Sequence, residues 1–221
     1  MRVVVSLSGG LDSTVLLTHH LEQGDEVRAI SFDYGQRHRR ELDWAQELAA
    51  ACGVPHTLVR VDLCAVTRSA LTGHGSVPHG HYAHESMKQT VVPSRNATFV
   101  CLASALAISH DMDAVSIAAH AGDHAIYPDC RPMWMQVMQQ AVRMGNWGAS
   151  QFELLAPFVL MTKHDIVVRG DLLGAPMHKS WSCYEGGAIH CGRCGTCVER
   201  REAFELAGVP DHTEYASGGA A

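Results

Sequence analysis

No run of about 18 apolar residues, the length a membrane-crossing helix needs, occurs in the 221-residue chain. The opening residues MRVVVSLSGG lack the long apolar stretch and small-residue cleavage site of a secretory leader. A basic excess is missing as well. The 17 Lys and Arg are outnumbered by 23 Asp and Glu, a net charge of −6 with histidine neutral, whereas a protein held mainly by phosphate-backbone contacts carries the opposite balance. Bulk binding of nucleic acid is disfavoured. Aromatic residues are only 6% and charged residues 18% of a chain that is 47% hydrophobic. Those are ordinary globular proportions, which exclude disordered, collagenous and mucin-like classes. The expectation is one compact, cytoplasmic protein with no membrane association.

Eight cysteines are present, and four of them fall between positions 183 and 197. In a reducing compartment disulfides are rare, so this crowding points to metal or catalysis. The spacing of Cys183, Cys191, Cys194 and Cys197 in SCYEGGAIHCGRCGTC, interleaved with glycine, suits a closed tetrahedral zinc site that ties structure together. An iron–sulfur cluster is the runner-up, and His190 is an alternative to one thiolate. Cys52, Cys64, Cys101 and Cys130 are scattered singly and read as small buried hydrophobes or loop residues. The histidines at 74, 79, 81 and 84 fall in a Gly- and Ser-containing loop and call for no specific role.

Along the chain, short β-branched runs alternate with apolar-periodic stretches. Strands are expected at 2–7, 27–32, 56–61, 114–118 and 152–155, and helices from Leu11 and over 41–52, 95–110, 131–144 and 162–172. A long polar loop spans about 64–94. Such alternation predicts an α/β fold, a Rossmann-like parallel sheet flanked by helices, with ligands beyond the carboxyl ends of its strands. The expected organisation is a nucleotide-binding domain over 1–179, a small cysteine-rich lobe and helix over 180–207, and a loose tail over 208–221.

The segment Ser8-Gly9-Gly10-Leu11-Asp12-Ser13 lies between the first strand and first helix, where backbone N–H groups and the helix terminus favour an anion. It has neither the Gly-Lys-Ser/Thr of a Walker loop nor GxGxxG. Ser8 and Ser13 can donate to phosphate, and Asp12 fits beside phosphate through an intervening Mg²⁺ or as a helix cap. Lys163, after the cap Thr162, could neutralise developing phosphate charge. Tyr34 and Gln36 in DYGQRH, Arg95 and Asn96 in VPSRN, and Tyr127, Asp129 and Arg131 in YPDCR follow strands or open helices at the same crevice. They offer a guanidinium for an acid group and a carboxylate for ring N–H donors. Ser94 reads as an N-cap. The run from Arg37 to Arg40 reads as a solvated helix face, and Met133, Trp134, Val137, Met138 and Ala141, at helical spacing, as core or subunit interface.

SGGLDS directly after a leading strand resembles the PP-loop ATP pyrophosphatase superfamily, whose members split ATP between the α and β phosphates. SGGLDS, DYGQRH, SALT with a following VP, VVPSRN, GDHAIYPDCR, TK and SCY…CGRCGTC occur in an order similar to the 7-cyano-7-deazaguanine synthase (QueC) family, from Val3 to about Phe204. The resemblance implies a HUP-type fold and the use of ATP and ammonia to turn 7-carboxy-7-deazaguanine into 7-cyano-7-deazaguanine, a step of queuosine biosynthesis. It implies activation of the carboxylate and then of the amide; Asp12 and Lys163, read from the residues themselves, are the candidate catalytic pair. By position it assigns ATP to Leu7, Ser8, Gly9, Gly10, Leu11, Asp12, Ser13, Thr14, Val15, Leu16 and Leu17, and zinc to Cys183, Cys191, Cys194 and Cys197. Related enzymes are often dimers, so a homodimer is expected. The chain departs from the family at Leu7, where Phe is common, at Ser94, and at Met133-Trp134. Rival readings are a tRNA-thiolating PP-loop enzyme, the same chemistry on a protein or DNA acceptor, and a zinc-ribbon interaction module fused to an inactive nucleotide sensor.

Overall fold

The computed structural model describes residues 1–216. Five strands, β1 (Arg2–Ser6), β2 (Glu26–Asp33), β3 (His56–Arg60), β4 (Ala114–Ser116) and β5 (Glu153–Leu155), alternate with helices α1 (Leu11–Glu22), α2 (Glu41–Ala51), α3 (Arg95–Ser109), α4 (Pro132–Gly145) and α5 (Lys163–Leu172). A sixth helix, α6 (Gly195–Ala207), follows the cysteine-rich segment. All strand pairs are parallel, in the order β3-β2-β1-β4-β5. The order reverses between β1 and β4, which opens a crevice over their carboxyl ends.

The RVVVS run becomes the central strand because both of its faces are covered. Val3 and Val5 pack with Leu16, Ile166 and Phe204 on one side, while Val4 packs with Val100, Ala103 and Phe152 on the other. None of the three valines has any exposure. A strand buried on both faces reads as a continuous β-branched run, not an alternating one.

Four local expectations change. Ser94 occupies the N-cap position of α3, but with φ of 58° and no side-chain bond to the helix. It turns the chain there and does not cap it, whereas Thr162 caps α5 through a reciprocal pair with Asp165. The Arg37–Arg40 run is not a solvated helix face. His38 is buried, Arg37 and Arg40 donate to the carbonyls of Gly75 and Ala188 at 3.1 and 2.6 Å, and Arg39 pairs with Asp33 at 2.5 Å. Cys52 and Cys101 are exposed, not buried. The α4 stripe divides, with Met135 and Val142 in the core and Met133 and Val137 on the surface.

The cysteine-rich segment is tied to the turn after α5 and to the chain beyond α6 by Arg200 of α6, which is 1% exposed. Its guanidinium donates to the Met177 carbonyl at 2.9 Å, to Ser180 and Ser182 at 2.8 and 3.1 Å, and to Asp211 at 3.3 Å. Beyond α6, the expected loose tail returns to this segment as far as Ala216, whose N–H donates to the His190 carbonyl at 2.8 Å. Residues 217–221 lie outside the described residues. Removing one partner of a buried charge network strands the others. Arg200→Ala is therefore expected to lower stability by about 3–5 kcal/mol, read as a fall in Tm. An unchanged Tm would show that the lobe is held by other contacts.

Candidate active site and metal centre

A cavity of about 240 Å³ opens where β1, β2 and β4 end. One part of its wall is charged. Ser8, Gly10, Asp12 and Ser13 come from the loop before α1, Lys163 from α5, Glu199 from α6, and His120 and Asp123 from the turn after β4. The loop can lie close under α2 because Gly9 has φ of +85°, and a Cβ there would stand 1.9 Å from the Glu41 carbonyl oxygen. The Ser8 hydroxyl accepts the Gly10 N–H at 3.2 Å and lies 3.0 Å from that of Ser13. The first-turn N–H groups of α1 thus face the crevice, an arrangement suited to phosphate.

Lys163 Nζ lies 2.6 Å from Asp12 Oδ2 and 3.3 Å from Glu199 Oε2. Burial alone would raise the Asp12 carboxyl, but Lys163 and His120 outweigh it and hold it below its ordinary value. Burial likewise works against the Lys163 ammonium, yet Asp12, Glu199 and Asp123 raise it, so it is charged at neutral pH. His120 Nδ1 accepts the Gly122 N–H at 3.1 Å, and its Nε2 faces Asp123 at 3.5 Å and Asp12 at 3.9 Å. Tyr82 donates to Asp123 at 2.9 Å. Asp12 Oδ1 is buried with no hydrogen-bond partner among the described residues. Such an oxygen, ionised beside a phosphate loop, fits a hard divalent cation such as Mg²⁺.

The remaining wall is aromatic. Phe32 and Phe99 stack with centroids 4.1 Å apart and planes 10° apart, and Tyr34, Tyr82, Tyr127 and Tyr184 complete it. Arg95 reaches this wall from the start of α3. Burial disfavours its charge, but the surrounding Tyr34, Tyr184 and Tyr127 hydroxyls favour it, and no carboxylate among the described residues pairs with it. Burial pushes the Tyr34 hydroxyl up to about 12. Asn96 donates to Cys130 Sγ at 3.4 Å, and burial raises that thiol.

The structure brings Leu7, Ser8, Gly10, Leu11, Asp12, Ser13, Tyr34, Arg95, Asn96, Tyr127 and Lys163 to one cavity. Val15, Leu16 and Leu17 are core residues beneath the loop, and Thr14 donates back to the Gly10 carbonyl at 2.9 Å. Gln36 is buried behind the wall, bonded to the Tyr34 N–H and the Phe32 carbonyl at 2.8 and 3.1 Å. Asp129 and Arg131 are not in the lining, and Arg131 Nε donates to the His124 carbonyl at 2.9 Å. Sequence reasoning passed over His38, Glu41, Phe99, Tyr184 and Glu199, all in the lining. The signal for Tyr184 was its place directly after Cys183, since a ligand's neighbour is aimed as firmly as the ligand. Nothing local marked Phe99 or Glu199, which reach the cavity through helix packing.

The four thiols of Cys183, Cys191, Cys194 and Cys197 lie within 4.8 Å of one another. Cys191 and Cys194 N–H groups donate to Cys183 and Cys191 Sγ at 3.3 and 3.2 Å, which favours thiolates. Zn–S bonds of about 2.3 Å place tetrahedral sulfurs about 3.8 Å apart, so the group fits one metal ion. A four-iron cluster, with each thiolate on a separate iron, spreads its sulfurs further. His190 is not in the group. Its Nε2 accepts the Ser182 N–H at 3.0 Å, and its ring packs on Trp181 at 4.3 Å. The segment flanking Cys183 also lines the cavity, through Trp181, Ser182 and Tyr184.

A parallel sheet in this order, with a glycine-rich loop that lacks the Walker lysine and a lysine supplied by a later helix, defines a Rossmann-like α/β protein with a PP-loop-like fold. The family model described as "Queuosine biosynthesis protein QueC" matches residues 2–208, and the chain belongs to that family. A 7-cyano-7-deazaguanine synthase of Paracoccus denitrificans (strain Pd 1222) is 53% identical over 217 residues, covering 97% of this chain and 93% of the relative. One from Rhizobium meliloti (strain 1021) is 51% identical over 218 residues, covering 97% and 92%. Among solved structures, U34-tRNA thiolase NcsA from Methanococcus maripaludis aligns with a TM-score of 0.51 at 16% identity, over 97% of this chain and 73% of that one. NMN synthetase from Francisella tularensis aligns at 0.51 and 15%, over 99% and 80%. At those identities the likeness is one of fold.

Two predictions follow from this geometry. Burial raises Glu41 from 4.5 to about 8. The native state therefore binds more protons than the unfolded chain across that window, and the group's contribution to stability falls as pH rises through it. His38, lowered to about 3 by burial, acts oppositely below its unfolded value but is present in both proteins when wild type is compared with Glu41→Gln. The Tm of wild type should decline relative to Glu41→Gln from pH 4.5 to pH 8, and parallel curves would contradict the shift. Secondly, Cys194→Ser should reduce bound metal well below one ion per chain by elemental analysis and lower Tm. Full metal content in that variant would remove Cys194 from the ligand set.

Proposed function

We propose that the chain converts 7-carboxy-7-deazaguanine, ammonia and ATP into 7-cyano-7-deazaguanine in queuosine biosynthesis, a reading supported for the product and the pathway by the names of its relatives and family. The observation that carries the reading is a single cavity that joins a phosphate-loop wall with the Asp12–Lys163 pair at 2.6 Å to an aromatic wall holding Arg95. A carboxylate is a poor electrophile. Its oxygen attacks the α-phosphorus of ATP, pyrophosphate leaves, and ammonia displaces AMP to give the amide. A second ATP activates the amide oxygen, and loss of AMP and a proton leaves the nitrile.

In this reading the loop from Leu7 to Leu17 holds ATP, and the N–H groups at the start of α1 receive its phosphates. Lys163 stabilises charge that builds on the α-phosphate and on departing pyrophosphate. Asp12 orients Lys163 through one oxygen and offers the other to Mg²⁺, which would offset phosphate charge. Arg95 takes the substrate carboxylate, with Asn96, Tyr34 and Tyr127 beside it, and Gln36 acts from behind the wall. Asp129 and Arg131 stand beyond the lining, so Arg95 is the better-placed partner for the acid. The four cysteines would hold Zn²⁺ in a structural role, securing the segment that carries Ser182 and Tyr184. We assign 1–179 to the nucleotide-binding domain, 180–207 to the zinc lobe and 208–221 to the tail. The exposed Met133 and Val137 on α4, 69% and 62% accessible, support a homodimer with that helix at its face. The setting is cytoplasmic, without nucleic acid or membrane.

Incubation with Mg·ATP, ammonium and 7-carboxy-7-deazaguanine should yield AMP, pyrophosphate and the nitrile by mass spectrometry. AMP with the amide alone would mean that the second activation needs another component, and no turnover would point to a different acceptor. Lys163→Ala should lower kcat by about 100- to 1,000-fold, the range for loss of one transition-state charge partner. Arg95→Ala should raise the KM of the heterocycle much more than that of ATP, and equal effects on both would remove Arg95 from the acid's site.

A further inference from the structure

The wall contributed by the segment after β2 carries polar atoms that the protein leaves unsatisfied. His38 is 4% exposed, lines the cavity, and its Nδ1 is buried with no hydrogen-bond partner among the described residues. Its Nε2 lies 3.4 Å from Glu41 Oε1. Glu41, 9% exposed, lines the same wall, and its Oε1 accepts from Gln36 Nε2 at 3.2 Å. Its second oxygen takes no hydrogen bond from any described residue. The Gln36 amide cannot turn away, because its oxygen accepts the Tyr34 N–H at 2.8 Å and its nitrogen also donates to the Phe32 carbonyl at 3.1 Å. Glu41 is thus held in one orientation by a fully bonded neighbour, the arrangement of a preorganised recognition group. Buried polar atoms left open on a cavity wall are satisfied when a ligand supplies the complementary atoms.

The rings that line the same cavity offer flat apolar faces to a planar ligand. Phe32 and Phe99 stack at 4.1 Å, Tyr34 packs on Phe99 at 5.5 Å, and Tyr184 lies 5.1 Å from His38. A carboxylate matches a ring edge that presents two adjacent N–H donors, as a guanine-type ring does with its ring N–H and exocyclic amine. An adenine edge pairs an amine with a ring acceptor, whose lone pair the second oxygen would repel. Arg95, the cation of the same wall, is available for an acid group elsewhere on the ring.

We infer that Glu41, positioned by Gln36 and His38, reads the paired N–H edge of a guanine-like heterocycle and thereby sets the specificity of the acceptor site. The assignment rests on the proposed function for the identity of the heterocycle, but its chemistry is the edge itself. Burial keeps Glu41 protonated up to about 8 and His38 neutral down to about 3, so the pair is stored uncharged. When the two ring donors arrive they favour the carboxylate, and Glu41 releases its proton to solvent as the ring binds.

The test compares wild type with Glu41→Gln, an isostere whose amide cannot accept from both donors. Binding of 7-carboxy-7-deazaguanine, of its analogue lacking the exocyclic amine, and of ATP is measured by calorimetry, with KM values alongside. Wild type should prefer the amine-bearing compound by at least about 100-fold, the scale on which a site built for a hydrogen bond rejects a ligand lacking it. Glu41→Gln should lose most of that preference while its affinity for ATP stays within about twofold, which also reports that the variant is folded. Glu41→Asp should recover part of the preference. A preference retained in Glu41→Gln, or ATP affinity falling in step with that of the heterocycle, overturns the assignment. Wild type that binds the amine-bearing ring selectively but turns nothing over would overturn the proposed reaction and leave the edge assignment standing.

Discussion

Three parts of the chain meet at Gly9. Its own loop turns there with φ of +85° in the space a side chain would fill, and the Glu41 carbonyl that opens α2 occupies that space. Its carbonyl accepts the Trp181 N–H at 2.8 Å, two residues before the first cysteine of the lobe. The loop that would cradle phosphate, the helix that carries Glu41 and the lobe that carries Tyr184 are therefore registered on one backbone position. A Cβ there would drive all three apart, so the approach is a steric constraint.

The two walls of the cavity follow different electrostatic rules. Around Lys163 the partners lie at short range, and the ammonium and the Asp12 carboxylate stay ionised because each supplies what burial removes from the other. Around Glu41 burial wins, and the carboxyl and imidazole are held neutral. The first environment suits a polyanion that brings its own charge and counterion. The second suits an uncharged ring with directional donors. Both share one crevice because β1 ends between them.

Much of the fold was readable from pattern. β-branched runs separated by helical periodicity specify parallel strands and crossovers, and the five strand positions agree with the structure to within two residues. The cysteine spacing was equally legible, since ligands to one ion recur at short intervals along a turning chain. Other features were not legible. Ser94 has the chemistry of a cap but adopts a left-handed turn, because the chain must enter α3 from the long loop at that angle. The basic run before α2 looked solvated, yet its side chains reach loop carbonyls 38 and 148 residues away. Asp129 and Arg131 carry suitable groups in a suitable segment, and the turn after β4 leaves them outside the lining.

The amino-acid sequence by itself determined the alternating architecture, the anion loop and the four thiols, because each is encoded by neighbours along the chain: periodicity, a glycine-rich turn and ligand spacing. Only the tertiary structure decided which side chains share the cavity. Lys163 meets Asp12 across 151 residues, and Glu199 reaches the same point from a helix beyond the cysteines. Glu41 becomes a recognition group only because Gln36 is locked behind it. Burial, orientation and long-range pairing are properties of packing, and no local pattern specifies them.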